Sequence, residues 1–298
     1  MAEDWGGLFS LIQRIQKEYP ELAYLLDNDE VGPLLLRAVS GAMDTTEFTF
    51  KLHQTNWWKT TAEPARKWDA FAQIDPATAK AQIAQQRASI RDQARTLGVD
   101  LTAAGRHWIA VTALREGWDE AQITRAIARQ ADWEGHDDLP GGQLGATFDQ
   151  YRSMARDYGV KLNGRDAFQA ARRTVMGQQT AEGMQAELRH RAMERFSGNQ
   201  AIVQALQNGT SLREYFAPIQ NEVANQLQVA PDQVDLINDR RYQELISHVD
   251  EQGRVRPMSI PEAVKWVRST DQWGRTDNAQ KEASALAERI GQMFGAVA

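Results

Sequence analysis

Two stretches of this chain, 215 residues apart, carry the same residues at the same spacing. Thr55, Trp58 and Thr61 in TNWWKTTAE return as Thr270, Trp273 and Thr276 in TDQWGRTDN (270 − 55). The same offset sets Met43 on Met258 and Glu47 on Glu262. A second echo lies between them: RDQARTLGVDL at 91–101 reappears 61 residues later (152 − 91) as RSMARDYGVKL. Repetition at fixed offsets marks a scaffold of copied supersecondary units, each too small to bury its apolar face alone. A catalytic centre is normally a singular, irregular cluster. The repeats therefore constrain architecture before they say anything about chemistry.

The units read as helical. Gly and Pro are few, while Ala, Gln, Arg and Glu are frequent, and these are helix formers. Leu8, Leu11, Ile12 and Ile15 form an i, i+3, i+4, i+7 stripe. That first helix ends near Tyr19-Pro20, because a residue before proline avoids the α region. Glu21 to Asp27 and Val31 to Met43 read as two short helices. Asp44 with Glu47, and Ser259 with Glu262, have capping-box spacing. Gly98 and Gly159 fall where a left-handed residue closes a helix. Each is followed by two further helices, the second carrying Ile123 and Ile127 or Met184 and Leu188 on one face. Aligned Ala110/Ala171 and Ala131/Ala192 permit close helix approach.

The expected fold class is all-α, made of repeated helical-hairpin modules, with one short β-hairpin near 246–258 where ISHVDEQGRVRPM alternates around Gln252-Gly253. Four modules are expected: 1–85 with the first Trp corner, 86–147 as hairpin unit 1 with a Gly-rich linker at 133–148, 148–205 as hairpin unit 2, and 206–298 with the second Trp corner. Large aliphatic residues are sparse and mean hydropathy is −0.56. Thin Ala-rich helices fit that better than one thick core, and the nine Trp residues are expected to supply buried area.

Composition excludes several chemistries. With no cysteine, disulfides, thiolate-bound zinc and a Cys nucleophile are absent. A net charge of −6 argues against nucleic acid as the main partner, since phosphate binding needs a concentrated positive face. The exception is 161–195, where seven basic residues face Asp166, Glu182, Glu187 and Glu194, a local balance of +3. A nucleic-acid contact there is the alternative to an ordinary solvated face. MAEDWGGLFSLIQRIQ lacks the basic start of a secretory signal, and no apolar run approaches the roughly 20 residues that span a bilayer.

No catalytic, metal or cofactor site is expected. The five histidines show no helical metal spacing. His136-Asp137-Asp138 reads as a solvated acidic loop, and GGQLG lacks the ending of a phosphate-binding loop. Glu47, Glu116 and Glu262 are the acids a helical muramidase would use, but Glu47 and Glu262 are expected to serve as capping-box partners. Trp57, Trp58, Thr61, Trp273 and Thr276 are expected to be structural: Trp packed at a helix–turn–helix corner, Thr capping the next helix. An aromatic platform for sugars or bases is the competing reading.

EYPELAYLLDNDEVGPLLLRAV, TNWWKTTAEPARKWDAF and DPATAKAQI, with the later SLREYFAPIQNEVANQLQV and PMSIPEAVKWVRSTDQWGRTDNAQKEASALAERI, resemble helical proteins encoded among the virion-structural genes of tailed bacteriophages, especially those of actinobacterial hosts. Shared are an acidic LLDxPEIG-like helix, a WW.TT corner, Gly-Val helical units and a W..T.NA closing helix. The resemblance implies a non-enzymatic internal virion or minor tail protein, made in the host cytoplasm and carried in the virion. Its partners would be other virion proteins or further copies of itself. A peptidoglycan-degrading virion lysin and an ejected nucleic-acid-associated protein are the alternatives. The candidate interaction surface is the N-terminal stripe with its neighbours: Trp5, Leu8, Phe9, Leu11, Ile12 and Ile15.

Overall fold

A computed structural model describes residues 5–133 and 141–293. Among the described residues its regular structure is helical, apart from one antiparallel pair of two-residue strands. The chain divides into two compact units, Met1–Ala146 with Arg172–Gln178, and Thr147–Ala171 with Gln179–Ala298.

In the first unit, α1 (Trp5–Glu18) stops one residue before Tyr19-Pro20, and the next turn, Pro20–Leu25, is a 3₁₀ helix, tighter than the α-helix expected there. The Asn28 carboxamide accepts from the Glu30 and Val31 N–H groups at 3.0 and 2.9 Å and turns the chain into α2 (Gly32–Val39). That helix is shorter than Val31 to Met43, because Gly41 takes a left-handed conformation, φ 78°. There follow α3 (Thr45–Gln54), α4 (Asn56–Thr60), α5 (Glu63–Ile74), α6 (Pro76–Leu97), α7 (Ala103–Glu116) and α8 (Glu120–Arg129). One core gathers Ile15, Leu25, Val31 and Leu35, with Phe48, Leu52 and Trp57 packed at its edge. Further along, Ile90, Ala94 and Leu97 of α6, Ile109, Ala110 and Ala113 of α7, and Ile123 and Ile127 of α8 are buried where these three helices meet. Arg115 on α7 grips Asp69 on α5 through two hydrogen bonds of 3.0 Å.

The second unit holds α9 (Gly142–Asp157, beginning in the first unit), α10 (Gly164–Val175), α11 (Ala181–Arg195), α12 (Gln200–Gln207), α13 (Leu212–Leu227), α14 (Gln243–Ile246), α15 (Ile260–Arg268), α16 (Asp271–Gly274) and α17 (Asp277–Met293). The expected hairpin is present. β1 (His248–Val249) pairs with β2 (Val255–Arg256), His248 opposite Arg256, and the Asp250 carboxylate accepts from the Gln252 and Arg254 N–H groups across the turn. Phe148, Tyr151, Phe168, Met184, Leu188 and Phe216 are the large buried side chains here. Asn199, only 3 % exposed, caps α12 through the Ile202 N–H and donates to the Ile246 carbonyl at 3.0 Å. It fixes α12 against α14.

The 61-residue echo is reproduced bond for bond. Gly98 (φ 77°) and Gly159 (φ 64°) close α6 and α9. The following valines donate five residues back, Val99 to Ala94 and Val160 to Ala155, both at 2.8 Å. Glycine is required at these points by the left-handed backbone. At Gly98 a side chain would also strike the Gly141 carbonyl. Next come caps at equivalent places: Thr102 accepts from Gly105, Asn163 from Asp166, Asp119 from Gln122 and Thr180 from Gly183.

Three further expectations need correction. Of the linker 133–148, residues 134–140 lie outside the described residues, but α9 has begun by Gly142, so the segment is helical where a loop was expected. Gly142 itself has φ 54°, and its glycine marks a helix start. The tryptophans do not supply the core: of the eight whose side chains are described, none is buried, seven are half-buried and Trp108 is 54 % exposed. An indole with a polar N–H settles readily at the rim of a helical layer. Aliphatics, Ala, Phe and Tyr fill the interior instead. Third, Asp44 accepts from the Glu47 N–H, but the Glu47 carboxylate pairs with Lys51 at 2.7 Å, so only half of that capping box forms.

Candidate functional site

The two Trp corners are the most distinctive local geometry. In the first, the Thr55 hydroxyl donates to the Leu52 carbonyl at 2.6 Å and accepts from the Trp58 N–H at 3.1 Å. In the second, Thr270 donates to Val267 at 2.7 Å and accepts from Trp273 at 3.3 Å. Every partner is displaced by the same 215 residues (267 − 52, 273 − 58). A threonine that ends one helix and caps the next turns the chain sharply. The Trp N–H is its anchor, while the ring rests half-buried outside.

The corners diverge at their last threonine. Thr276, 8 % exposed, donates to the Trp273 carbonyl and accepts from the Ala279 N–H at 3.2 Å, capping α17. Thr61 does not cap α5: the N-cap position is Ala62, which has no polar side chain to cap with, and the Thr61 carbonyl instead receives the Arg66 guanidinium. The reason is local. Pro64 stands in the first turn of α5, where one N–H is already missing and a cap has less to satisfy.

The first corner fills its own aromatic surface. His53 stacks on Trp58 with centroids 4.8 Å apart, and Arg66 lies 4.0 Å from the same ring. Glu30 accepts from the Trp57 N–H at 2.8 Å. Burial raises the Tyr24 hydroxyl above its ordinary pKa, aided by Asp69, and that hydroxyl donates to the Arg66 carbonyl at 3.4 Å. At the second corner Arg268 stands 5.5 Å from Trp273. The chain's own cations and imidazole thus occupy the rings that a platform reading would offer to a sugar or base.

Each of the three candidate acids is engaged by a neighbouring cation. Glu47 holds Lys51. Glu116 lies 3.5 Å from Arg115. Glu262 is clamped by Arg256 at 2.7 and 2.8 Å and accepts from the Ser259 N–H and hydroxyl, both at 2.7 Å. Arg256 first, then these Ser259 donors, hold its carboxyl far below the ordinary carboxylate range. An acid so stabilised as its anion cannot donate a proton near neutrality. Among the described residues no three His, Asp or Glu side chains gather as a metal set. His53, His107 and His190 are exposed and His248 is in β1. His136, Asp137, Asp138 and most of GGQLG's flank lie outside the described residues.

The basic run 161–195 is divided between the two units. Arg172 and Arg173 belong to the first unit and the others to the second. Arg172 donates to the Ala131 carbonyl and Arg195 to the Gly159 carbonyl, each satisfying a helix end, and Arg191 pairs with Glu187. Several clefts among the described residues are lined by charged side chains, one of them by Arg152, Arg156, Lys161 and Arg195. One of about 420 Å³ in the first unit is lined by Arg91, Arg95, Gly98 and Arg106, of which Arg106 donates to the Leu101 carbonyl. One of about 300 Å³ in the second is lined by Arg156 and Arg213 against Asp157, Asp232 and Asp235. There Arg213 holds Asp157 at 3.2 Å and Asp235 accepts from the Ile237 and Asn238 N–H groups.

The N-terminal stripe splits. Ile15 is wholly buried, Leu11 and Ile12 are half-buried, and Leu8 and Phe9 are 37 and 63 % exposed. The side chain of Trp5 lies outside the described residues. Sequence reading overlooked a second apolar exposure, at Leu286 and Ile290 of α17. Their spacing from Ala279 and Ala283 was the available signal. No helix is long and apolar enough to cross a membrane. In comparisons with known proteins, no family model, curated protein or solved structure matches this chain.

Proposed function

We propose that the chain is a non-enzymatic structural component of a tailed-phage virion, an internal virion or minor tail protein. The observation that carries this reading is where the residues of the phage-like motifs fall. Glu30 of the LLDNDEVG stretch holds the backbone of Trp57 in the WW.TT corner. Thr276 and Ala279 of the closing W..T.NA motif form a cap, and Asn278 donates its N–H to the Gln228 carboxamide at 3.4 Å. The Gly-Val units close helices. Motif residues spent on caps, corners and helix ends are what a scaffold requires. A motif serving catalysis would instead converge its side chains on one cleft. The paired states of Glu47, Glu116 and Glu262 favour the scaffold over a lysin, whose two acids need to stand about 5–9.5 Å apart across a substrate cleft.

Two experiments test this. Mass spectrometry and antibody labelling of purified particles should find the protein at a fixed copy number per virion. Its absence from intact particles would overturn the proposal. In a peptidoglycan zymogram the purified protein should leave no cleared band. A band that Glu116→Gln abolishes would make it an enzyme.

A further inference from the structure

We infer that α17 is a self-association helix that pairs antiparallel with α17 of a second copy of this chain. This goes beyond the proposed function and does not rest on it. The helix is rooted by the Thr276 cap and by buried Ala279. From Gln280 to Ile290 every residue is exposed. A single helix of this length, unpacked on all sides, is marginal in water. Its sequence is also amphipathic: Ala279, Ala283, Leu286, Ile290 and Met293 recur at steps of four, three, four and three. That is the a/d seam of a coiled coil. Leu286 and Ile290 leave 60 and 45 % of their surface in solvent.

The seam identifies its partner as another copy. Set two α17 helices antiparallel about the point between Ser284 and Ala285. Ala283 of one then meets Leu286 of the other, twice by symmetry, and Ile290 comes beside Ala279 at the root. Each large residue is opposed by a small one, as interdigitating layers require. The same register brings Glu282 of one copy beside Arg289 of the other, again twice. In a parallel pair Leu286 would meet Leu286, Ala283 would leave a gap, and Glu282 would face Ala287 without a charge partner. The antiparallel arrangement is isologous and closes on itself. Within one chain Glu282 pairs, among the described residues, with exposed Arg268 at 3.2 Å, a contact worth little against a new partner. Two heptads bury less than a permanent dimer needs. The pairing is therefore weak in dilute solution and effective where copies are held close together.

Sedimentation equilibrium on the full chain should show a reversible monomer–dimer system with a dissociation constant of about 10–100 µM. Leu286→Asp or Ile290→Asp should raise that constant about tenfold or more, with an unchanged melting temperature. Glu282→Arg and Arg289→Glu should each weaken association about tenfold by setting like charges together. An equimolar mixture of those two variants should dimerise again, because both pairs are then complementary. A wild-type chain that stays monomeric to about 1 mM would overturn the inference and leave the face to another partner. Leu286→Asp that still dimerises would place the interface elsewhere. Charge variants that associate like wild type would overturn the antiparallel register.

Discussion

Replacing Thr55 with Val and, separately, Thr270 with Val should cost the same amount of stability. Valine keeps the branched shape, so packing is retained and two hydrogen bonds are lost at each site: to the carbonyl three residues back and from the Trp N–H three residues ahead. Loss of an N-cap costs about 1 kcal/mol. The second bond adds roughly 0.5–1.5 kcal/mol, and water reaching these half-buried hydroxyl sites replaces part of it. The expected cost is about 1.5–2 kcal/mol at either corner. The neighbouring pair should behave differently. Thr276→Val removes the cap of α17 from a buried site and should cost about 1.5–2.5 kcal/mol. Thr61→Val removes no cap and should stay within about 0.5 kcal/mol of wild type. Urea unfolding followed by circular dichroism gives each value from the midpoint shift and the slope. If Thr55→Val and Thr270→Val differ by more than about 1 kcal/mol, the two corners are not equivalent devices. If Thr61→Val costs as much as Thr276→Val, the divergence described at the corners is wrong.

Asn199→Ala removes a cap and leaves the Ile246 carbonyl buried without its donor. It should destabilise by about 2–4 kcal/mol, and a midpoint within error of wild type would show that water replaces the amide. Glu262 has a folded-state pKa depressed chiefly by Arg256. Its contribution is therefore present above the unfolded value of about 4.3 and lost as pH falls through that value toward the folded one. Relative to Glu262→Gln, wild type should be more stable near pH 6 and lose that advantage below about pH 4; parallel acid-unfolding curves would refute the clamp. Ile15→Ala should cost about 2–5 kcal/mol, as a fully buried aliphatic does, whereas Phe9→Ser should be nearly neutral in thermal melts. The reverse order would restore the N-terminal stripe as an interface rather than a core helix.

Short-range devices were legible in the sequence, because they involve partners three to five residues apart and so depend on local identity alone. The threonine-tryptophan corners, Ser259 with Glu262, the Gly-Val helix ends of the 61-residue echo and the hairpin turn around Gln252-Gly253 all belong to this class. Even here competition between neighbours was undecided: Glu47 lies within reach of both the Asp44 N–H and Lys51, and it takes the lysine. Burial was another matter. Whether Trp58 lies in a core or at its rim depends on Arg66, His53 and a helix packed from elsewhere, and hydropathy assigns an indole no fixed depth. Nothing within a few residues of Glu30 says that it reaches Trp57, or of Asn199 that it reaches Ile246. Nor does the 4-3 spacing of α17 reveal that its seam is left in solvent. The spacing says that a partner is needed. Only the packing of the remaining helices decides that none of them provides it.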